Sequence, residues 1–394
     1  MKQYDSQFRK LTDVGSVNRG KSKHRPRNAP ELYGGPYPFI QTGDVKHANF
    51  YISDYTQTYS ERGLSQSKLW QPGTLCITIA ANIADTAILK IPACFPDSII
   101  GFIPKKGESD VRFTKYCLDT YKKEMQSISQ GTTQDNLSQG KLLSFRFRIP
   151  DYDQQRKIAA ILSAYDELIE NNQRRVALLE KMAEEIYHEW FVRLRFPCHE
   201  KVKTVKGVPT GWEIKKLGAV LELCYGKALK DGDRVPGEFH VYGSSGVVGT
   251  HNEALVKTPS LVVGRKGNVG SVYWPDRGFF PIDTVYFVKS ELPNSFLYFL
   301  LRSMNFLNND AAVPGLNRNQ AYSNLFFLPP TPLVKKYAEV ADANFEMKRL
   351  FERQNEKLVA TRDLLLPRLI SGKLSVENLD IQFPPSMKEP ALEA

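Results

Sequence analysis

Residues 154–194 read QQRKIAAILSAYDELIENNQRRVALLEKMAEEIYHEWFVRL, a run without glycine or proline. Ile158, Tyr165, Asn172, Leu179 and Ile186 recur every seventh position, with Leu168, Met182 and Trp190 among the apolar residues at the half-heptad. This spacing predicts one long helix carrying a single apolar seam. At a rise of about 1.5 Å per residue it would reach roughly 60 Å, more than a compact domain needs for its own core. Such a helix acts as a spacer.

A seam of this kind must be covered, and residues 332–370, PLVKKYAEVADANFEMKRLFERQNEKLVATRDLLLPRLI, supply a second helix. Positions 179 residues beyond the first heptad are Tyr337, Asn344, Phe351, Leu358 and Leu365, mostly apolar or aromatic again. The flanks repeat at the same offset, Leu137 with Leu316 and Ile149-Pro150 with Leu328-Pro329. Further upstream, LTDVGSVNRGK at 11–21 aligns with LGAVLELCYGK at 217–227, and Leu75 and Asn82 align with Leu261 and Asn268. An internal repeat decides the architecture before any local prediction does. The expected class is α+β: two related α/β units, with two long helices pairing as an antiparallel coiled coil about a pseudo-twofold axis.

The expected order is a unit over 1–153, a helix over 154–196, a connector and second unit over 197–331, a helix over 332–370, and an arm with a disordered tail over 371–394. In the first unit PFIQTGDV, GTLCITIA, TAILKI and SIIGFI are predicted strands, and Phe113–Ser127 a helix. Asp151 or Asp153 caps the first long helix, and Pro197 stops it. Seam positions assigned to helix pairing are Ile158, Tyr165, Leu168, Leu179, Ile186, Trp190, Tyr337, Phe351, Leu358 and Leu365.

The chain has 394 residues and a formal net charge of +10, which favours a polyanionic partner such as nucleic acid or an anionic membrane surface. The opening MKQYDSQFRKLTDVG lacks the apolar core of a secretory signal, and stretches such as TLCITIAANIA are too short and polar to span a bilayer. A soluble, cytoplasmic protein is expected. The five cysteines never form a C-x-x-C pair, so neither a disulfide framework nor a thiolate zinc site is indicated.

Enzyme signatures are missing: no G-x-G-x-x-G after a strand, no P-loop, no H-E-x-x-H and no G-x-S-x-G. The histidines His24, His47, His188, His199, His240 and His251 form no i, i+4 pair. Catalytic, metal and cofactor sites are therefore not expected in this chain.

What is present suits nucleic acid. The segment 18–27, NRGKSKHRPR, places five cations in ten residues, Arg19, Lys21, Lys23, Arg25 and Arg27, as a solvated loop or one lying along a phosphate backbone. VVGRKGNVGSVYW carries Arg265, Lys266 and Asn268 among small residues, as a basic turn or a close approach to DNA. Two polar loops occupy equivalent positions in the repeat. One contains Gln134 and Asn136, the other Asn317, Arg318 and Asn319; these are base-reading side-chain types that can equally cap the following elements. Lys46, Asn82 and Lys227 complete the candidate set.

Three segments carry a family resemblance: LLEKMAEEIYHEWFVRLRFPCHEKVK at 178–203, VVGRKGNVGSVYWPDRGFFPIDTVYFV, and TRDLLLPRLISGKLSV. With their order, which spans nearly the whole chain, they resemble the DNA-specificity subunit of type I restriction-modification systems. The resemblance implies two target recognition domains, each reading half of a bipartite DNA site, and a coiled coil that fixes the gap. It further implies two modification subunits that bind S-adenosylmethionine and methylate adenine, and a motor-nuclease restriction subunit using ATP and Mg. Chemistry would lie in those partners. A coiled-coil scaffold without DNA specificity is the alternative.

Overall fold

The computed structural model describes residues 7–129, 137–306, 315–384 and 387. The chain divides into two compact units, one formed by Met1–Asn171 with Asn355–Ala394, the other by Asn172–Gln354.

The first unit is built on a five-stranded sheet whose order is Gly15–Arg19, Ile99–Pro104, Leu75–Thr78, Thr86–Leu89, Tyr51–Ile52. The first four are antiparallel and the last pairs in parallel. Alternation sends side chains to two covered faces. Leu75, Ile77 and Ile88 meet Phe113, Tyr116 and Leu118 of the helix Val111–Ser129. Cys76, Ala87 and Leu89 meet Trp70 and Phe95 on the other face, and those two rings stack at 4.7 Å. Burial on both sides explains why TLCIT and TAILK are nearly continuous apolar runs. PFIQTGDV does not extend as one strand. It ends at Phe39 and turns into the helix Thr42–His47, because the Asp44 carboxylate accepts a 2.8 Å hydrogen bond from the Gln41 amide and caps that turn.

The second unit has a four-stranded antiparallel sheet in the order Glu222–Tyr225, Val285–Lys289, Val262–Gly264, Val272–Tyr273. Position for position it matches four strands of the first unit, and Asn294–Ser303 takes the place of Val111–Ser129. A three-stranded sheet of Gly246–His251, Phe239–Gly243 and Phe279–Pro281 completes it. Each unit also has a short antiparallel pair leading straight into a long helix: Gln7–Arg9 with Phe147–Ile149, and Glu213–Lys216 with Leu325–Leu328.

The first long helix is Tyr152–Tyr187, and Asp151 is its cap, its carboxylate accepting from the Gln154 amide at 2.9 Å. A π-helical turn over His188–Val192 and a left-handed Leu194 end it before Pro197 is reached. The second is Thr331–Ile370. It continues through Pro367 and stops at Gly372, where φ is +70° and the Gly372 and Leu374 amides close back on Leu369 and Arg368.

Within each unit the two helices run antiparallel, since rising residue numbers on one meet falling numbers on the other. In the first unit Asp166 accepts from Arg362, and the Ile169 carbonyl accepts from Asn355 at 3.3 Å. In the second, Glu180 accepts from Lys348 at 2.7 Å and the Ala183 carbonyl accepts from Tyr337 at 3.1 Å. Ile158 and Tyr337 are buried, while Tyr165, Leu179, Ile186, Trp190, Phe351, Leu358 and Leu365 are half-buried. Leu168 is 45% exposed and its neighbour Ile169 is buried instead. A straight helix drifts relative to a strict seven-residue repeat, so the covered stripe moves by one position along its length. After the second helix the arm is irregular, and Leu374, Val376, Ile381, Phe383 and Met387 pack on the first unit's core.

Candidate nucleic-acid interface

In the first unit the basic segment follows the edge strand Gly15–Arg19. The Gly20 amide bonds to the Ile99 carbonyl at 2.9 Å and the Lys21 amide to the Phe95 carbonyl at 3.1 Å. A Cβ on Gly20 would lie 2.3 Å from the Pro96 carbonyl oxygen, so only glycine passes. The loop beyond is tied down. Arg19 donates to the Asp97 carbonyl at 2.9 Å, Arg25 to the Ser22 and His24 carbonyls at 2.7 Å, and one terminal nitrogen of Arg27 donates to both Asp97 carboxylate oxygens at 2.9 and 3.0 Å. Ser67 donates to the Lys21 carbonyl at 2.8 Å. Lys21 and Lys23 project as exposed cations, as does Lys46 at the end of Thr42–His47.

The turn after Leu75–Thr78 holds Ala81 and Ala84 in the left-handed region, at φ +61° and +62°. The half-buried Asn82 serves it through its carbonyl, which accepts from the Thr78 hydroxyl. Gln134 and Asn136 lie outside the described residues.

The second unit repeats this crossing. The Gly226 amide bonds to the Val285 carbonyl at 3.3 Å and the Lys227 amide to the Pro281 carbonyl at 3.0 Å, and a Cβ on Gly226 would sit 2.0 Å from the Ile282 oxygen. Lys227, Lys266 and Asn268 are exposed. The Asn268 carbonyl accepts from the Ser271 hydroxyl at 2.8 Å and lies 2.1 Å from where a Gly264 Cβ would stand. The Asn317 side chain accepts from the Asn319 and Gln320 amides at 2.9 and 3.3 Å, so it is occupied as the cap of the helix Arg318–Ser323. Asn319 is exposed and Arg318 half-buried.

Two of these cations converge on a residue absent from the candidate set. The Arg265 guanidinium carbon lies 5.0 Å from the ring centre of Tyr225 and 5.7 Å from that of Tyr286. Arg318 lies 5.2 Å from the Tyr225 ring. Burial, and then the neighbouring Tyr225, push the Tyr286 phenol up to about 12, so it stays neutral. The available signal was an aromatic residue directly before Gly-Lys at a strand end, where an apolar side chain has little to bury.

Among the described residues no group of three or more His, Cys, Asp or Glu is arranged to hold a metal, and no helix is long and apolar enough to cross a membrane. Cys76, Cys94 and Cys117 are buried free thiols, and burial raises the pKa of all three. Exposed guanidinium and ammonium groups beside glycine turns can bind phosphates and base edges.

Residues 3–181 match the family described as type I restriction modification DNA specificity domain. The type I restriction enzyme MjaIX specificity subunit of Methanocaldococcus jannaschii is 25% identical over 417 residues, covering 95% of each chain. The putative type I restriction enzyme MjaX specificity subunit of the same organism is 20% identical over 302 residues, covering 70% of each. The crystal structure of the type I restriction-modification S subunit from M. genitalium superposes with a TM-score of 0.62 at 17% identity, covering 93% of this chain and 96% of that one, which shows a shared fold. The chain is thus similar over nearly its whole length to type I restriction enzyme specificity subunits, and its residues 3–181 match the DNA specificity domain of that family.

Proposed function

We propose that the chain is the non-catalytic subunit that gives a type I restriction-modification complex its DNA sequence. Each unit reads one half of a bipartite site, and the paired helices set the gap and receive two modification subunits. The observation that carries this is the duplicated Gly-Lys crossing. Gly20-Lys21 and Gly226-Lys227 occupy the same place in matched sheets, and each brings an exposed lysine to the end of an edge strand. Two related basic surfaces suit two half-sites; a scaffold that only joins proteins has no need of them. In this reading S-adenosylmethionine belongs to the modification subunits, ATP and Mg to a restriction subunit, and the complex works in the cytoplasm. The first unit offers Arg19, Lys21, Lys23, Arg25, Arg27, Lys46 and Asn82, and the second Lys227, Arg265, Lys266, Asn268, Arg318 and Asn319.

Single-molecule sequencing of N6-methyladenine tests it, in a host free of DNA methylation that carries the modification subunits with or without this chain. A split motif with a fixed gap, present only with the chain, is the expected result. Subunits that associate but create no motif would move the assignment to a scaffold.

A further inference from the structure

Tyr225 sits at the end of the strand Glu222–Tyr225, opposite Tyr286, and is 50% exposed, so core packing does not account for it. Two further segments are fixed against it by backbone contacts. The Arg265 amide bonds to the Thr284 carbonyl at 2.8 Å, and the Leu316 amide to the Arg265 carbonyl at 2.9 Å. An isolated bridge joins Lys266 to Gly315, and the Asn317 cap then starts the helix on which Arg318 stands first. Both arginine backbones are thus placed before any ligand arrives. Arg265 also donates to the Asp283 carbonyl at 3.1 Å, which aligns its plane.

Both guanidinium centres lie within 5.2 Å of one ring, so two like charges are held within roughly 10 Å of each other. Among the described residues neither forms a salt bridge with a carboxylate, whereas Arg27 of the first unit is paired with Asp97. The arrangement calls for an external acceptor. Phosphates are served by flexible exposed lysines, and Lys227 and Lys266 stand beside the cluster. A planar fork held in a fixed orientation on an aromatic face matches instead the paired O6 and N7 acceptors of guanine in the major groove.

We propose that Tyr225 is a positioning residue for sequence reading by the second unit, stacking Arg265 and Arg318 so that their forks read guanines in that unit's half-site. This rests on the assignment of each unit to one half of a DNA site. It adds the base type and the residue that orients the readers.

The test uses the full chain in complex with its modification subunits and selection from a randomised duplex library, read by sequencing. Wild type should enrich a split motif with guanine in one half. Arg265→Ala and Arg318→Ala should each reduce guanine preference at one position of that half by about tenfold, leaving the other half unchanged. Tyr225→Ala should relax both positions, and Tyr225→Phe should restore them, since the ring and not the hydroxyl carries the stacking. A Tyr225→Ala complex with unchanged base preferences overturns the proposal. So does a uniform loss of affinity in all three alanine variants without relaxation at any position, which would mark the cluster as a phosphate clasp. A wild-type complex that enriches no motif would instead defeat the underlying assignment to half-sites. The two Arg→Ala variants change half-buried side chains outside the core, so they report even where Tyr225→Ala lowers stability.

Discussion

Replacing both Arg265 and Lys266 with alanine should weaken DNA binding by the complex at moderate salt. The slope of log affinity against log salt should fall by about one unit for each phosphate contact removed, measured by a salt titration. Unchanged affinity would remove the pair from the interface. Glycines give a second prediction at this scale. Gly226→Ala puts a methyl carbon 2.0 Å from the Ile282 oxygen, and Gly20→Ala puts one 2.3 Å from the Pro96 oxygen. Each should cost about 1–3 kcal/mol in urea or thermal unfolding, because backbone must shift. Gly232→Ala, with nothing within 4 Å of its new Cβ, should stay within about 0.5 kcal/mol. The basic residues and the capping Asn317 were legible in the sequence because their chemistry is local. That Asp97 neutralises Arg27 was not, since the partner lies 70 positions away in a loop whose path only the folded sheet defines.

At the level of elements, each unit ties its globular part to the helix pair through a carboxylate. In the first unit Asp166 accepts from the Tyr116 hydroxyl and from Arg362. In the second, Glu180 accepts from Tyr298 at 2.9 Å, Arg302 at 2.8 Å and Lys348 at 2.7 Å. Burial alone would raise the Glu180 carboxyl, but the Lys348 hydrogen bond and charge, with Tyr298 and Arg302, hold it below the usual carboxylate range. A depressed carboxyl contributes stability that is present above its unfolded pKa and lost as pH falls through the folded value. Glu180→Gln should therefore destabilise at neutral pH and flatten the acid limb of the stability curve, followed by denaturation at a series of pH values. Tyr298→Phe should cost about 0.5–1.5 kcal/mol. Long periodic helices and their caps were readable because periodicity is a local signal. Which of the adjacent Leu168 and Ile169 lies in the covered stripe was not, since a heptad template assumes 3.5 residues per turn throughout. The break of PFIQTGDV after Phe39 had its cue in Asp44.

At the level of the whole molecule, considerable apolar surface stays uncovered: Phe8, Ile214, Leu325 and Leu364 are 59%, 60%, 65% and 71% exposed. Ile214 faces Phe327 across the short strand pair before the second long helix, and Phe327 is also exposed. Such surface marks binding sites or aggregation hazards. The chain expressed alone should be poorly soluble, and co-expression with the other subunits of its complex should raise the soluble fraction; a monodisperse isolated chain in light scattering would contradict this. The repeat was visible in the sequence because paired segments keep their spacing even where offsets fall from 206 to 186 to 179. Insertions in loops explain that fall, and they leave the strand order intact. The convergence on Tyr225 was hidden for the opposite reason, since it joins three segments up to 93 residues apart.

The two Gly-Lys crossings are held by amides and carbonyls, groups that every residue except proline brings whatever its side chain. Apart from the glycine itself, they exact no sequence from their surroundings. The neighbouring loops are then free to diverge without a new solution to the folding problem, and a lineage can acquire a different DNA target by drift or by exchange of loops while the frame that presents them is inherited unchanged.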